Sequence, residues 1–306
     1  MFEWSRLPFL YAVHEEGSVA AAARSLGYTP SAVSQQIAKL EREVGRTLLE
    51  PAGRGVVLTD AALVLVDAAR TMQTTGETTQ ARLEELEDEL TGTLRVACFP
   101  SAIRGVASPA LGALAAQAPG LRLRLREMSP DAGHLAVVGG RVDVALVHDW
   151  VHDQAAFGAG VEAVYLVDDV VELVVPAGHR LGAAGSADLS EVVDDVWVTD
   201  VSRGICTRWI LAMLREHTER PRMDFRAEEY ASQVALVGAG LCVGLLPRHG
   251  RPPLPDSVHV VPLRGAAPTR RFIAVYRSTT TRRPAVHRLI EQLQAQLETP
   301  AERSTS

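Results

Sequence analysis

The segment Gly17–Gly45, GSVAAAARSLGYTPSAVSQQIAKLEREVG, has the pattern of two helices joined by a tight turn. Ser18 can cap the first helix, and Gly27 stands where a left-handed residue is needed to end it. Thr29 can cap the second helix, and Pro30 suits its first position because the N–H at that position has no helical partner. The spacing favours either a helix-turn-helix or an ordinary αα-hairpin.

The second predicted helix has two chemically different faces. Val33, Ile37 and Leu40 recur at helical spacing and predict a buried stripe. The other face carries hydroxyl and amide groups, which suit DNA because Gln can bond adenine twice and Ser can bond either base edges or the backbone. The residues predicted to bind DNA are Ser18, Arg24, Thr29, Ser31, Ser34, Gln35, Lys39 and Arg54.

A hairpin and a long helix are predicted after this pair. Gly53 and Gly55 flank Arg54 in PAGRGVVLT and predict a tight turn, from which the arginine can reach the minor groove or remain solvated in its loop. From Thr59 to about Leu90, apolar residues recur at helical intervals and form one stripe, for which a second copy of the chain is the economical partner. The stripe consists of Leu63, Val66, Leu83, Leu86 and Leu90.

Length and composition limit the classes of protein that fit. The chain has 306 residues and a net charge of −6, so an electropositive surface for DNA must come from the placement of its basic residues in a dimer. The sequence has no apolar run of transmembrane length and no secretory signal pattern, and the expected location is the cytoplasm. Three scattered cysteines, Cys98, Cys206 and Cys242, predict neither a disulfide framework nor a metal site, and no cofactor is expected.

The second half of the chain alternates strands and helices, which predicts an α/β unit with a largely parallel sheet. LRVACF at 94–99 reads as the first strand, and LRLRLREM at 121–128 reads as the second, with its leucines facing inward. The alternating arginines resemble a nucleic-acid stripe but are more typical of an edge strand protected from mispairing. VEAVYLVDDVVELVVP at 161–176 predicts one long extended segment.

The segment Leu7–Thr59 resembles the winged helix-turn-helix of LysR-type transcriptional regulators, through GSVAAAARSL, SAVSQQIAKLEREVG and GRGVVLT. Three later segments, GRVDVALV, VVELVVPAGHRLG and VALVGAGLCVGLLP, are similar to parts of the family's effector domain and occur in the same order. The chain departs from the family at Leu49 and Pro51, where Phe and Arg are usual, and this removes one expected contact with the DNA backbone.

The resemblance implies an α/β effector domain of two Rossmann-like lobes, with an all-α winged helix-turn-helix head and a long linker helix. Residues 1–59 would form the DNA-binding domain, 60–91 the linker and dimerisation helix, and 92–306 the effector-binding domain. Within the last of these, lobe I would comprise 92–164 and 271–306, and lobe II would comprise 165–270.

The cleft between the two lobes is the expected effector site, because strand ends and helix N-termini converge there and offer N–H groups to an anion. The candidate residues are Ser101, Ser129, His148, Thr199 and Arg203. Together they predict a small anionic or zwitterionic metabolite as the ligand. For each residue alone, a capping or loop role is the alternative.

These features predict a homo-oligomeric, sequence-specific DNA-binding transcriptional regulator that is controlled by a small-molecule effector and is no enzyme. Its expected partners are double-stranded DNA with an interrupted inverted repeat, the metabolite, further copies in a dimer or tetramer, and RNA polymerase, with no membrane. One alternative is a thiol-based redox sensor that uses Cys206, with Arg208 lowering the pKa of the thiol. A small-molecule-binding enzyme is the other alternative, although the sequence carries no familiar catalytic motif.

Overall fold

The computed structural model describes residues 2–53, 55–86, 89–151, 154–201, 205–265 and 268–298. The chain forms two compact units, divided between Leu83 and Glu84. None of the described helices has the length and apolar character needed to cross a membrane.

The first unit, called the head, is built from helices and one hairpin. Its elements are α1 (Leu7–Glu16), α2 (Val19–Leu26), α3 (Pro30–Val44), β1 (Leu49–Ala52), β2 (Gly55–Leu58) and α4 (Asp60–Glu84). Its core lies where Leu7, Leu40, Leu48 and Val66 from three helices and one loop are buried together. β1 and β2 pair antiparallel and form the hairpin predicted after the two helices.

The long helix ends earlier than predicted. α4 stops at Glu84 rather than near Leu90, and Gly92 adopts a left-handed φ of 80° well after the helix has ended. An acidic run is unfavourable at a helix C-terminus, where the dipole is negative, and this explains the early stop. Of the predicted stripe, Val66 is buried in the head, whereas Leu63, Leu83 and Leu86 are 45%, 54% and 81% exposed.

The second unit, called the effector unit, contains the remaining strands and helices. Its strands are β3 (Thr93–Cys98), β4 (Arg122–Glu127), β5 (Val144–Trp150), β6 (Val161–Pro176), β7 (Val196–Thr199), β8 (Arg222–Arg226), β9 (Gly244–Pro247), β10 (Val258–Val261) and β11 (Thr269–Arg277). Its helices are α5 (Pro100–Ala102), α6 (Ser108–Gln117), α7 (Pro130–Val138), α8 (Ile205–Arg215), α9 (Tyr230–Gly238) and α10 (Pro284–Glu298), and a π-helical turn at Ile103–Ala107 joins α5 to α6.

The sheet is mixed, which corrects the expectation of a largely parallel one. The strand order is β10-β6-β11-β5-β3-β4, and β9 also pairs with β6. Among the described strands, parallel ladders join β3 to β4, β3 to β5, and β7 to β8, and isolated parallel bridges join Ala187 to Leu263 and Trp197 to Val243. The antiparallel pairs arise because β6 carries the chain into the second lobe and β11 carries it back beside β6 in the opposite direction.

Two lobes result from this topology. Lobe I contains β3 to β5, α5 to α7 and α10, around a core that includes Leu94, Leu146 and Leu289. Lobe II contains β7 to β10 with α8 and α9, and its core includes Leu173 and Trp197. The predicted edge strand β4 is indeed the last in the sheet, but Leu125 is 40% exposed rather than inward-facing, because it lies beyond the cluster that buries Leu121.

Candidate functional site

The predicted two-helix unit has the local structure that its capping residues dictate. The Ala21 N–H donates to Ser18 Oγ at 3.2 Å, and the Ala32 N–H donates to Thr29 Oγ1 at 3.2 Å. Gly27 ends α2 in the left-handed conformation with φ 74°. Since both cap oxygens accept from the helix, each hydroxyl keeps its proton to donate to another group, such as a phosphate oxygen.

The faces of α3 are divided as predicted. Val33, Ile37 and Leu40 are at most 3% exposed and form the inner face. The outer face carries Ser31, Ser34, Gln35 and Lys39, all of which are exposed, as are Arg24 and Thr29, whereas Ser18 is half-buried. Residues 31, 34/35 and 38/39 follow one another along this face, because positions three and four apart are neighbours on a helix. The face has the dimensions and the donors and acceptors of a major-groove reader.

The hairpin after α3 has the shape of a short wing. Glu50 pairs with Val57 and Ala52 pairs with Gly55, and Gly53 takes a left-handed φ of 57° at the turn. Gly55 belongs to β2 rather than to the turn. Arg54 lies outside the described residues, so its predicted role in the minor groove stays a prediction.

A cavity of about 500 Å³ lies between the two lobes of the effector unit. Of the predicted effector residues, the cavity brings together Ser101, Ser129, His148 and Thr199, each from the end of a different strand or the helix start that follows it. Arg203 lies outside the described residues. Ser129 caps α7 through a 3.3 Å hydrogen bond from the Ala132 N–H, so its capping role is real and leaves its proton available to a ligand.

Sequence reasoning missed the buried guanidinium of Arg270, which lies at the base of the cavity and is 1% exposed. Its Nε donates to Asp169 Oδ2 at 2.7 Å, and one terminal nitrogen donates to Ser101 Oγ at 3.0 Å. The other terminal nitrogen lies 3.5 Å from the hydroxyl oxygen of Tyr230. The guanidinium is thus fully engaged, and it polarises two hydroxyls that face the cavity. The available signal was the acid pair Asp168–Asp169 in β6 and the arginine pair Arg270–Arg271 in β11, each within an otherwise mainly apolar strand.

His148 is buried in the cavity wall and is electrically neutral. Burial, with the positive charge of Arg270 nearby, lowers the pKa of His148 well below its usual value. Its ring packs edge-on against Phe99, with 4.9 Å between the ring centroids. Among the described residues, neither Nδ1 of His148 nor Nε1 of Trp150 has a hydrogen-bond partner. A buried polar group without a partner costs about 1–3 kcal/mol.

Cys206 also lines the cavity, but its thiol is not activated. Its Sγ lies 3.7 Å from His148 Nε2. Burial raises the pKa of the Cys206 thiol to about 12, and the negative charges of Asp200 and Glu228 oppose ionisation further. The positive charge of Arg270 lowers this pKa but does not offset burial, so the expected net lowering of the pKa by a nearby arginine is wrong.

The two lobes touch backbone to backbone beside the cavity. A Cβ added to Gly250, which has a left-handed φ of 68°, would stand 1.9 Å from the carbonyl oxygen of Ser101. A Cβ on Gly105 would meet the backbone nitrogen of Gly250 at 2.7 Å. Arg104 stabilises this contact between the lobes. Its Nε donates to the Gly250 carbonyl at 2.9 Å, and its terminal nitrogen forms an ion pair with Glu229 at 3.2 Å.

The fold and these two sites define a class of protein: a regulator with a DNA-reading head and a two-lobed small-molecule module. Residues 4–63 match the family model for the bacterial regulatory helix-turn-helix protein, lysR family, and residues 87–298 match the model for the LysR substrate binding domain. The chain belongs to the LysR family of DNA-binding transcriptional regulators.

Individual relatives cover most of the chain. A probable hydrogen peroxide-inducible genes activator of Mycobacterium avium is 29% identical over 281 residues, which are 89% of this chain and 86% of that protein. The uncharacterized HTH-type transcriptional regulator YnfL of Escherichia coli (strain K12) is 28% identical over 250 residues, 80% and 82% of the two chains. The structure of a full-length OxyR variant from Pseudomonas aeruginosa shares the fold with a TM-score of 0.69 at 19% identity, covering 96% of this chain and 98% of that one.

Proposed function

We propose that this protein is a cytoplasmic regulator, without enzymatic activity, that binds an interrupted inverted repeat as a dimer or tetramer and responds to a small anionic or zwitterionic effector held between its lobes. The observation that carries the DNA-binding half is the outer face of α3, where four polar residues are exposed opposite a fully buried stripe. Exposed apolar side chains on α4, among them Leu63, Val64, Met72 and Leu83, support pairing with a second copy, because a partner helix would remove them from water. RNA polymerase is the proposed further partner.

The decisive experiment is a titration of the purified full-length protein on DNA fragments that flank its own gene, in rising salt and with excess random competitor. A protected two-fold-related site with a steep salt dependence is the expected result, because each neutralised phosphate adds about 0.9 to the salt slope. Binding with no preference over random DNA at any salt would overturn the proposal.

Gln35 and Lys39 are expected to contribute in different ways. Gln35→Ala should relax the base preference at one position of each half-site by about 1–3 kcal/mol, because the amide can bond two groups on one base edge. Lys39→Ala should weaken binding to all sequences alike and reduce the salt slope by about one per lysine removed, because its contact is with a phosphate. Fluorescence anisotropy measures the affinity of each protein variant for a set of DNA sites that differ by single bases, and so distinguishes base recognition from phosphate binding. Equal losses of affinity on every DNA sequence for both protein variants would contradict these separate roles.

A redox-sensing regulator is the second candidate function. Two observations favour it: a relative is named as a probable hydrogen peroxide-inducible genes activator, and Cys206 lines the cavity next to His148. The raised pKa of the thiol counts against it, since the thiolate is the form that reacts with peroxide.

We therefore expect Cys206 to react with hydrogen peroxide at pH 7.5 at least about tenfold more slowly than free cysteine, because almost none of it is ionised at that pH. Trapping of the sulfenic acid with dimedone, followed by mass spectrometry, measures the rate, and the Cys206→Ser variant supplies the background from Cys98 and Cys242. A rate above that of free cysteine, with a matching change in DNA binding, would replace the effector proposal with the redox one.

A further inference from the structure

The charged residues that line the cavity are unequally divided. Four carboxylates line it, from Glu127, Asp131, Asp200 and Glu228. Three guanidinium groups line it, from Arg104, Arg208 and Arg270. The carboxylates thus outnumber the guanidinium groups by one. The charge that a ligand encounters therefore depends on how these groups are paired with each other and with their neighbours.

Two of the three arginines are neutralised by acids outside the cavity lining. Arg270 pairs with Asp169 at 2.7 Å, and Arg104 pairs with Glu229 at 3.2 Å. In the described part of the chain, by contrast, no ion pair is made by Glu127, Asp131 or Glu228. With Asp169 and Glu229 counted, six carboxylates stand against the three guanidinium groups, so a bound molecule encounters a cavity with net negative charge.

The acids line the cavity from both lobes. Asp131 lies in the first turn of α7 in lobe I, whereas Asp200 and Glu228 follow β7 and β8 of lobe II. Cys206, at the start of α8, lines the same cavity. A positive charge held at this point between the lobes would interact with carboxylates of both lobes at once.

The walls near this point are aromatic and contain unpartnered polar atoms. The indoles of Trp150 and Trp209 stack at 3.6 Å between ring centroids and are 2° from parallel, one from β5 and one from α8. Both line the cavity, as does His148. Aromatic faces attract ammonium groups. Trp150 Nε1 and His148 Nδ1 have no hydrogen-bond partner among the described residues, and they lie beneath the cavity surface on side chains that are 97% and 96% buried.

We propose that the effector carries a protonated amine, bound among Asp131, Asp200 and Glu228, and a carboxylate or carbonyl that accepts from the hydroxyls of Ser101 and Tyr230. This assignment rests on the proposed function and selects the zwitterionic class over simple anions. The Arg270 guanidinium supports the acceptor end indirectly, because by bonding to Ser101 Oγ it orients that hydroxyl to donate to the ligand.

The charge of the cavity can be measured without knowing the effector, since Cys206 is a built-in reporter. Ethylammonium and ethylsulfonate methanethiosulfonates each form a mixed disulfide with the thiolate and release methanesulfinate, and they carry opposite charges on the same reactive group. We expect the ratio of cationic to anionic rates at Cys206 in the full-length protein to exceed that for 2-mercaptoethanol by about tenfold. Mass spectrometry assigns the modified site, and Cys206→Ser gives the background.

Two neutralising variants test which carboxylates are responsible. Asp131→Asn and Glu228→Gln should each lower the rate ratio by about threefold, and the pair should lower it further. Asp194→Asn removes the same charge from an exposed acid that does not line the cavity, and should leave the ratio unchanged. A ratio no higher than that of the free thiol, a ratio unaffected by either cavity variant, or a Cys206 that neither reagent reaches would each overturn the proposal.

Ligand selectivity is tested by protection of Cys206 from the neutral reagent iodoacetamide. Phenylalanine, phenethylamine and 3-phenylpropionate form a matched set, and we expect protection by the two amines to exceed that by the acid. Equal protection, or greater protection by the acid, would overturn the amine assignment. DNA binding by the same preparation separates this outcome from failure of the regulator proposal, because a protein that binds its repeat but prefers the acid remains an effector-controlled regulator.

Discussion

Replacing Gly250 by alanine is expected to lower the free energy of unfolding of the effector unit by about 2–5 kcal/mol, and to displace the two lobes from each other. Alanine at a left-handed φ costs about 1–2 kcal/mol, and overpacking adds about 1–3 kcal/mol. The clash is with backbone, because the new Cβ would stand 1.9 Å from the carbonyl oxygen of Ser101. That oxygen belongs to α5 and cannot rotate away as a side chain would.

Gly240→Ala is the matched control for this variant. Gly240 also has a left-handed φ, of 77°, but a Cβ there would meet nothing within 4 Å. It should therefore incur only the cost of the backbone conformation, about 1–2 kcal/mol. Urea denaturation of both variants gives the free energies of unfolding, and Cys206 alkylation should change in Gly250→Ala alone. Equal stabilities and equal Cys206 reactivity would show that the contact between the lobes is not close in solution.

Asp169→Ala is expected to lower the free energy of unfolding by about 3–5 kcal/mol, because it leaves the buried charge of Arg270 without its partner. The Asp169 carboxylate is fully buried and also accepts from the backbone N–H and the ring of His249, at 2.9 and 3.0 Å. The neighbouring Asp168→Ala is the control, since Asp168 is exposed and should change stability by no more than about 0.5 kcal/mol. Similar losses in the two variants would refute the buried-pair argument.

The same pair predicts a pH dependence with a definite sign. Burial raises the pKa of Asp169, but the hydrogen bonds from His249 and the charge of Arg270 outweigh burial and hold the pKa below 3.8. The folded state therefore binds the proton more weakly than the unfolded state, and the stabilisation is complete well above pH 3.8. It is lost as pH falls below that value, through the native pKa. Unfolding measured between neutral and acidic pH should show a shallower decline for Asp169→Ala than for the wild type.

The head was predictable because its determinants are local. Ser18, Gly27, Thr29 and Pro30 act within a few residues of their own positions, and the structure has caps and helix ends at those residues. The inner stripe of α3 follows from helical spacing in the same way. The two lobes and the cleft between them were predictable from the resemblance to the family. The four candidate effector residues that the structure describes do line one cavity. Their roles in binding stay predictions.

The parts that escaped prediction depend on distant pairing. Arg270 and Asp169 are 101 residues apart, and only the register of β11 beside β6 brings them together. The mixed sheet has the same origin, because apolar runs such as those of β6 and β11 do not reveal strand direction. The early end of α4 was missed since apolar spacing continues to Leu90 while the acidic run opposes further helix. The direction of the pKa shift at Cys206 was not predictable, because an arginine that is nearby in sequence does not reveal how far the thiol is buried.

The chain enters lobe II along β6 and leaves it along β11, and these two strands are hydrogen-bonded neighbours. The flanking strands β3 to β5 and the later helix α10 belong to lobe I, so lobe II is an insertion, and the chain crosses into it and back through these two adjacent strands. The register shift opposite Phe272 and Ile273 interrupts the pairing of β11 with β6, while β11 stays paired with β5 at the same residues. A rotation of lobe II against lobe I would therefore be taken up where β6 separates from β11, and it would have to change the Gly250 contact on the other side of the cavity.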